Sequence, residues 1–202
     1  EIYRLKIGKQ LFGGEGPKII ENFNKQGFDI FLDLKLHDIP NTVYKALKNL
    51  LNYEVWMTNI HLLGGSEMIK AAREAKEHTK SSTLLIGVSV LTSLSEKNIK
   101  DMGFKTEISE LVKILSTSAS LNKIDGVVCS VKEVPEIKKN LGEEFITVTP
   151  GIRIQQKNDD QLRVATLEEA IKNGSDYIVL GREITASNDI SKMIKKVESY
   201  II

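Results

Sequence analysis

Short apolar runs of strand length recur along the chain, at Ile2 to Gly8, Asp29 to Leu36, Val55 to Leu62, Leu84 to Leu91, Gly126 to Ser130, Phe145 to Gly151 and Tyr177 to Arg182. Between them apolar residues fall three and four apart among charges. That spacing predicts amphipathic helices at Thr42 to Leu51, Glu67 to His78, Glu107 to Ser118, Val131 to Asn140 and Leu167 to Asn173. Strand followed by helix, repeated without a hairpin signal, implies parallel strands joined by right-handed crossovers and covered by helices. Seven repeats fit either an open doubly wound sheet or an α/β barrel, the (β/α)8 TIM barrel, short of one unit. The expectation is the barrel, as a single domain over residues 1–202. The chain opens on Glu-Ile-Tyr-Arg inside a strand-like run, so the lacking first βα unit is placed at the N-terminus.

Composition narrows the class of protein more than its chemistry. The chain has 202 residues, and its 28 Lys and Arg against 27 Asp and Glu leave a net charge of +1. Such a balance offers no general attraction to nucleic acid or to an anionic membrane, so any anion must be bound locally. The single cysteine, Cys129, excludes an intramolecular disulfide, and no apolar run approaches the length of a membrane helix. A cytoplasmic protein is expected.

The segment Phe31 to Val43, FLDLKLHDIPNTV, carries the most chemistry. Alternation along a strand puts Asp33 and Lys35 on one face and Leu32, Leu34 and Leu36 on the other. In a barrel the leucines would pack on helices and the charged pair would point inward, where each charge needs a partner. Asp38 follows just past the strand, ahead of Pro40. It suits a helix cap, an acid of the site, or both. Lys6, near the end of the first run, is placed to extend Asp33, Lys35 and Asp38 into an alternating array of cations and carboxylates. Such an array keeps every member charged.

A second set lies late in the chain. Val-Thr-Pro-Gly-Ile-Arg (148–153) and Val-Leu-Gly-Arg (179–182) end adjacent strand runs, and barrels frequently bind phosphate in the loops after their last two strands. Glycine lets backbone N–H groups approach a phosphate, and Arg153 and Arg182 offer forked donors. Gln155 to Gln161 is polar and aperiodic and reads as a lid, with Gln161 as a neutral donor near its end. Gly13-Gly14-Glu15-Gly16 lacks both the P-loop ending and the dinucleotide-site context, and is read as a turn. His37, His61, His78 and Cys129 have no metal-ligand spacing. His61 suits either a site wall or a structural role, His78 the surface, and Trp56 and the inert Cys129 the packed interior. Thr92 and Ser93 suit either hydroxyl donation to a ligand or a turn.

Asp33-Leu34-Lys35-Leu36-His37-Asp38-Ile39-Pro40-Asn41-Thr42, with Leu5-Lys6-Ile7-Gly8, Val90-Leu91-Thr92-Ser93, Gly126-Val127-Val128-Cys129-Ser130, Val148 to Arg153, Asp160 to Val164 and Gly181-Arg182, resembles orotidine 5'-phosphate decarboxylases of the bacterial type. The resemblance runs through essentially the whole chain. It implies conversion of orotidine 5'-monophosphate to uridine 5'-monophosphate and carbon dioxide by a homodimer of barrels, with no metal and no organic cofactor. It further implies that Lys6 organises the charged array, that Lys35 delivers a proton to C6 of the pyrimidine, and that Asp33 lies beside the substrate carboxylate. Asp38 and Thr42 are implied to reach the partner's site. Thr92, with Pro150 nearby, is implied to contact the pyrimidine, and Arg153, Gln161, Gly181 and Arg182 to hold the phosphate. Nothing in the chain corresponds to the family's Ala-Leu-Asp first strand, and Asn52-Tyr53-Glu54 replaces a more usual glycine-containing turn. The alternatives are a related magnesium-dependent sugar-phosphate decarboxylase or aldolase with the same Asp-x-Lys-x-x-Asp strand, and an inactive barrel that binds a phosphate ligand.

Overall fold

A computed structural model describes residues 3–154 and 163–201. The elements run β1 Leu5–Gly8, α1 Lys9–Glu15, α2 Lys18–Lys25, β2 Ile30–Leu36, α3 Pro40–Leu50, β3 Met57–His61, α4 Gly65–Thr79 and β4 Leu84–Val88. They continue with α5 Glu96–Asp101, α6 Ile108–Leu121, β5 Gly126–Val128, α7 Val134–Leu141, β6 Ile146–Thr149, β7 Ile152–Arg153 and β8 Ala165–Thr166. The last are α8 Leu167–Lys172, β9 Tyr177–Ile178, α9 Arg182–Thr185 and α10 Ile190–Ile201. They group into two compact units, Glu1–Ser89 with Leu115–Val127, and Val90–Ile114 with Val128–Ile202. Among the described residues no helix is long and apolar enough to cross a membrane.

In the first unit β1, β2, β3 and β4 lie side by side, all parallel, as the strand–helix alternation predicts. Ile7, Ile30, Leu32 and Leu34 are buried with Ile20 of α2 and Val55, and Phe12, Ile19, Phe23 and Leu36 pack around them. The leucines of β2 therefore do face helices. Burying each such side chain contributes about 1.5–3 kcal/mol, so this face fixes which side of β2 remains for polar work. Those helices, α1 and α2, are absent from the sequence expectation. Its assignment of Gly13-Gly14-Glu15-Gly16 to a turn is corrected: residues 13–15 belong to α1. Only Gly16 leaves the helix, at φ +64°, returning its N–H to Phe12 O at 2.8 Å. Pro40 opens α3, where a missing N–H and a fixed φ suit a helix start. After α3 a turn of 3-10 helix, Leu51–Tyr53, is closed by Glu54 at φ +53°, a left-handed position that a glycine would hold without strain.

In the second unit β6 pairs with β9 and the short β7 with β8, both in parallel. Ile152, Leu167, Ala170 and Val197 of β7, α8 and α10 form its core together with Val131. The β7–β8 ladder and α10 are additions to the predicted set. Every strand with a predicted run is shorter than that run, and in two of them the early end changes the position of a candidate residue. The run Leu84 to Leu91 leaves the ladder after Val88, and Leu94 N–H closes a turn on Leu91 O at 3.0 Å. The run Tyr177 to Arg182 ends at Ile178, and Arg182 begins α9 instead of ending a strand. Cys129 is fully buried, and burial pushes its thiol well above the ordinary range, which makes it inert.

Candidate active site

Asp33 is the centre of the charged array. It lies on β2 with 8% of its surface exposed. Its Oδ1 accepts Lys35 Nζ at 2.5 Å and Asn59 Nδ2 at 2.7 Å, while its Oδ2 faces Lys6 Nζ at 3.2 Å. Burial alone would raise its pKa. The charge and hydrogen bond of Lys35, the amide of Asn59 and the charge of Lys6 outweigh that and hold it below its ordinary 3.8. One ionised carboxylate is thus clamped between two ammonium groups, and the cluster retains a net positive charge. Pairing Gly8 with Asp33 across β1 and β2 leaves room for this: a Cβ on Gly8 would sit 3.3 Å from Lys6 Nζ.

The route by which Lys35 reaches Asp33 differs from simple alternation. Between Leu32↔Thr58 and Leu36↔Ile60 the β2–β3 register shifts, so Asp33, Leu34 and Lys35 stand opposite the single residue Asn59. Lys35 takes φ +49°, and its N–H donates to Asn59 Oδ1 at 2.7 Å instead of to a strand carbonyl. A cleft of about 590 Å³ opens beside the cluster, its walls including Lys6, Gly8, Lys9, Glu15, Asp33 and Lys35. That volume suits a ligand of nucleotide size, and the lysines on its wall suit an anionic one.

Asp38 stands apart. It is exposed and accepts its neighbour's N–H, from Ile39, at 2.7 Å; among the described residues it meets no lysine at ion-pair distance. The helix-cap reading is corrected too, because Ile39 occupies the cap position of α3 and no side chain caps it. Thr42 is exposed on the first turn of α3. His61 closes β3 and stacks on His37 with ring centroids 5.1 Å apart. Burial, then the charges of His37, Lys35 and Lys9, push its pKa down to about 4. It is therefore neutral at physiological pH and accepts Leu63 N–H on Nδ1 at 3.4 Å. His78 is exposed, as expected, with Nδ1 2.8 Å from Tyr44 OH.

The late-chain candidates belong to the second unit. Arg153 on β7 is buried, and its guanidinium donates to Ile152 O at 2.9 Å. Pro150 is half-buried and precedes Gly151 at φ +81°. Gly181 accepts Ile184 N–H at 2.9 Å, and Arg182 is exposed as the first residue of α9. Thr92 is buried, and its carbonyl accepts Arg163 N–H at 3.2 Å. Gln161, and with it the expected lid Gln155 to Gln161, lies outside the described residues.

Two groups escaped the sequence reading. Asn59 is fully buried in β3 between Lys35 and Asp33, and its only sequence signal is an amide inside an apolar strand. Arg163 ion-pairs with Glu133 and donates to Val90 O at 2.7 Å and Leu91 O at 3.3 Å, which ties down the turn that carries Thr92. Burial raises the pKa of Glu133 above the ordinary 4.5, against the opposing pull of Arg163 and of the Ser130 N–H.

Residues 1–197 match the orotidine 5'-phosphate decarboxylase / HUMPS family. A protein of Saccharophagus degradans named orotidine 5'-phosphate decarboxylase is 50% identical over 195 residues, spanning 96% of this chain and 82% of that protein. One of the same name from Carboxydothermus hydrogenoformans is 49% identical over 189 residues, 91% of this chain and 79% of the other. The crystal structure of orotidine 5'-phosphate decarboxylase from Lactobacillus acidophilus superposes with a TM-score of 0.85 at 36% identity, covering 96% of this chain and 85% of that one. The family match runs from the first residue through most of α10, and the chain belongs to the orotidine 5'-phosphate decarboxylase / HUMPS family.

Proposed function

We propose that the chain converts orotidine 5'-monophosphate to uridine 5'-monophosphate and carbon dioxide, the last step of de novo pyrimidine nucleotide synthesis, with no metal and no organic cofactor. The observation that carries the reading is the clamp of Lys6 and Lys35 on Asp33. When the bond from C6 to the carboxylate breaks, the electron pair stays on C6 in an orbital that the ring does not delocalise. A fixed ammonium is the group that lowers the energy of that state. Lys35, held by Asp33, faces the developing charge and then transfers a proton from Nζ to C6; solvent restores the proton later. Asp33, kept ionised, lies beside the substrate carboxylate and repels it, an effect secondary to that of the lysine. Lys6 fixes Asp33 and spreads the positive charge.

Arg153, Gly181, Arg182 and Gln161 are assigned to the phosphate, and Thr92 and Pro150 to the pyrimidine. Binding energy from the phosphate, distant from the reacting bond, contributes to the transition state. The fold is assigned to the (β/α)8 barrel, and the location to the cytoplasm. The working form is a homodimer in which Asp38 and Thr42 reach the partner's site. Their exposure, and the lack among the described residues of an ion pair between Asp38 and a lysine, support that assignment.

The test follows orotidine 5'-monophosphate by absorbance and carbon dioxide by release, with a chelator present throughout. Turnover that survives chelation is expected. Activity lost on chelation and restored by magnesium would move the chain to the sugar-phosphate branch of the family. Uridine 5'-monophosphate binding without carbon dioxide release would leave a binding protein.

A further inference from the structure

We infer that Asn59 is a positioning residue for the decarboxylation, holding Lys35 and Asp33 in register through one amide. The inference rests on the proposed role of Lys35. Three residues of β2 face Asn59 alone, so the regular exchange of backbone hydrogen bonds is interrupted where the charged residues stand. In a buried strand the orphaned Lys35 N–H would be unstable without an acceptor. Asn59 Oδ1 supplies one at 2.7 Å, and that bond keeps Lys35 at φ +49°, a conformation that an unconstrained lysine rarely adopts.

The other half of the amide donates to Asp33 Oδ1 at 2.7 Å, the same oxygen that receives Lys35 Nζ at 2.5 Å. One planar group therefore sets the backbone of the cation and the carboxyl of its counter-ion together. The side chain is fully buried, and its neighbour Thr58 donates from its hydroxyl to Leu32 O at 3.1 Å, which anchors β3 to β2 at the start of the bulge. Among the described residues the other ionisable groups around the array are Lys6, Lys9, Glu15, His37 and His61. None of them reaches both Lys35 and Asp33 by hydrogen bonds as Asn59 does.

Asn59→Ala removes both bonds, and Asn59→Asp keeps an acceptor for Lys35 N–H while replacing the donor to Asp33 with a second carboxylate. Expected for Asn59→Ala is a kcat about 100-fold lower, with KM changed less than about threefold. In Asn59→Asp the acid limb of the kcat profile moves to higher pH, because Asp33 has lost a donor and gained a like charge. Direct titration of the Asp33 carboxyl by carbon-13 NMR separates the causes: its midpoint rises in both variants relative to the wild type. A wild type that releases no carbon dioxide from orotidine 5'-monophosphate sinks the proposed function and the kinetic half of this inference, while the Asp33 titration still reads whether Asn59 holds the pair. An Asp33 titration unchanged in the variants overturns the inference whether or not the wild type turns over. So does a kcat within about threefold of wild type, or a loss of uridine 5'-monophosphate binding that matches the loss of kcat.

Discussion

Arg163→Met tests the anchor beneath the Thr92 turn. The guanidinium is lost while most of the apolar stem remains, so the result reports the charge and its bonds. Glu133 keeps 11% of its side chain exposed and loses its ion-pair partner; Ser130 N–H, at 2.7 Å, continues to donate to it. Val90 O and Leu91 O lose the donors they have at 2.7 and 3.3 Å. Breaking a buried pair from one side costs about 3–5 kcal/mol. At a urea dependence of about 2–3 kcal/mol per molar, the unfolding midpoint falls by about 1–2.5 M at pH 8.

The loss depends on pH, with a sign set by Glu133. Its folded pKa lies above the ordinary 4.5, because burial outweighs Arg163 and the Ser130 N–H. Its stabilising contribution is complete below the ordinary value and is lost as pH rises through the folded one. Without Arg163 the folded value rises further, so the window widens and the deficit grows as pH rises past the wild type's folded value. Urea titrations of wild type and variant at pH 5 and pH 8, followed by far-ultraviolet circular dichroism, measure the difference. Equal midpoint shifts at the two pH values, or a shift at pH 8 below about 0.3 M, would refute the account of Glu133 as a charge that needs its partner.

Lys35→Ala abolishes turnover of orotidine 5'-monophosphate while calorimetry still detects uridine 5'-monophosphate, because the group assigned as proton donor is removed and those assigned to the phosphate are not; near-normal turnover defeats the role given to Lys35. Arg182→Ala instead lowers kcat/KM and nucleotide affinity together, by about 10- to 100-fold, and equal affinity for uridine and its 5'-monophosphate in the wild type would contradict its assignment. Glu54→Gly relieves the left-handed strain at φ +53° and raises the urea stability by up to about 1 kcal/mol; a loss of more than that would show that the Glu54 side chain contributes more than its backbone strain removes.

Much of the fold is legible because parallel strands are short, apolar and separated by amphipathic stretches. The six strands β2, β3, β4, β5, β6 and β9 all fall inside predicted runs, and so does β1, starting at Leu5. Periodicity misses α1, whose two glycines imitate a turn, and the two-residue strands β7 and β8, which are too short to show a period. In the site, Asp33 and Lys35 are recognisable because two opposite charges in a leucine-rich strand need each other. Alternation predicts their meeting but not its geometry, since a bulge depends on the neighbouring strand, and Asn59 lies 24 residues beyond Lys35. Glu133 and Arg163 are 30 residues apart in two segments that carry no shared pattern. Pairings of this kind arise from tertiary packing and leave no periodic trace.

The bulge in β2 also stores chain length. From Leu32 to Leu36 this strand advances four residues while β3 advances two, from Thr58 to Ile60. Pulled flat, the surplus pair would lengthen the strand by roughly 7 Å at about 3.3 Å per residue. The exposed stretch from His37 to Thr42 leaves the sheet where it does because that slack is taken up upstream. Deleting one residue there would turn Lys35 to the opposite face, and deleting two would draw Asp38 and Thr42 inward. The reach of the segment assigned to the neighbouring subunit is therefore tied to the placement of Lys35, the residue assigned as proton donor, and trimming β2 shifts both.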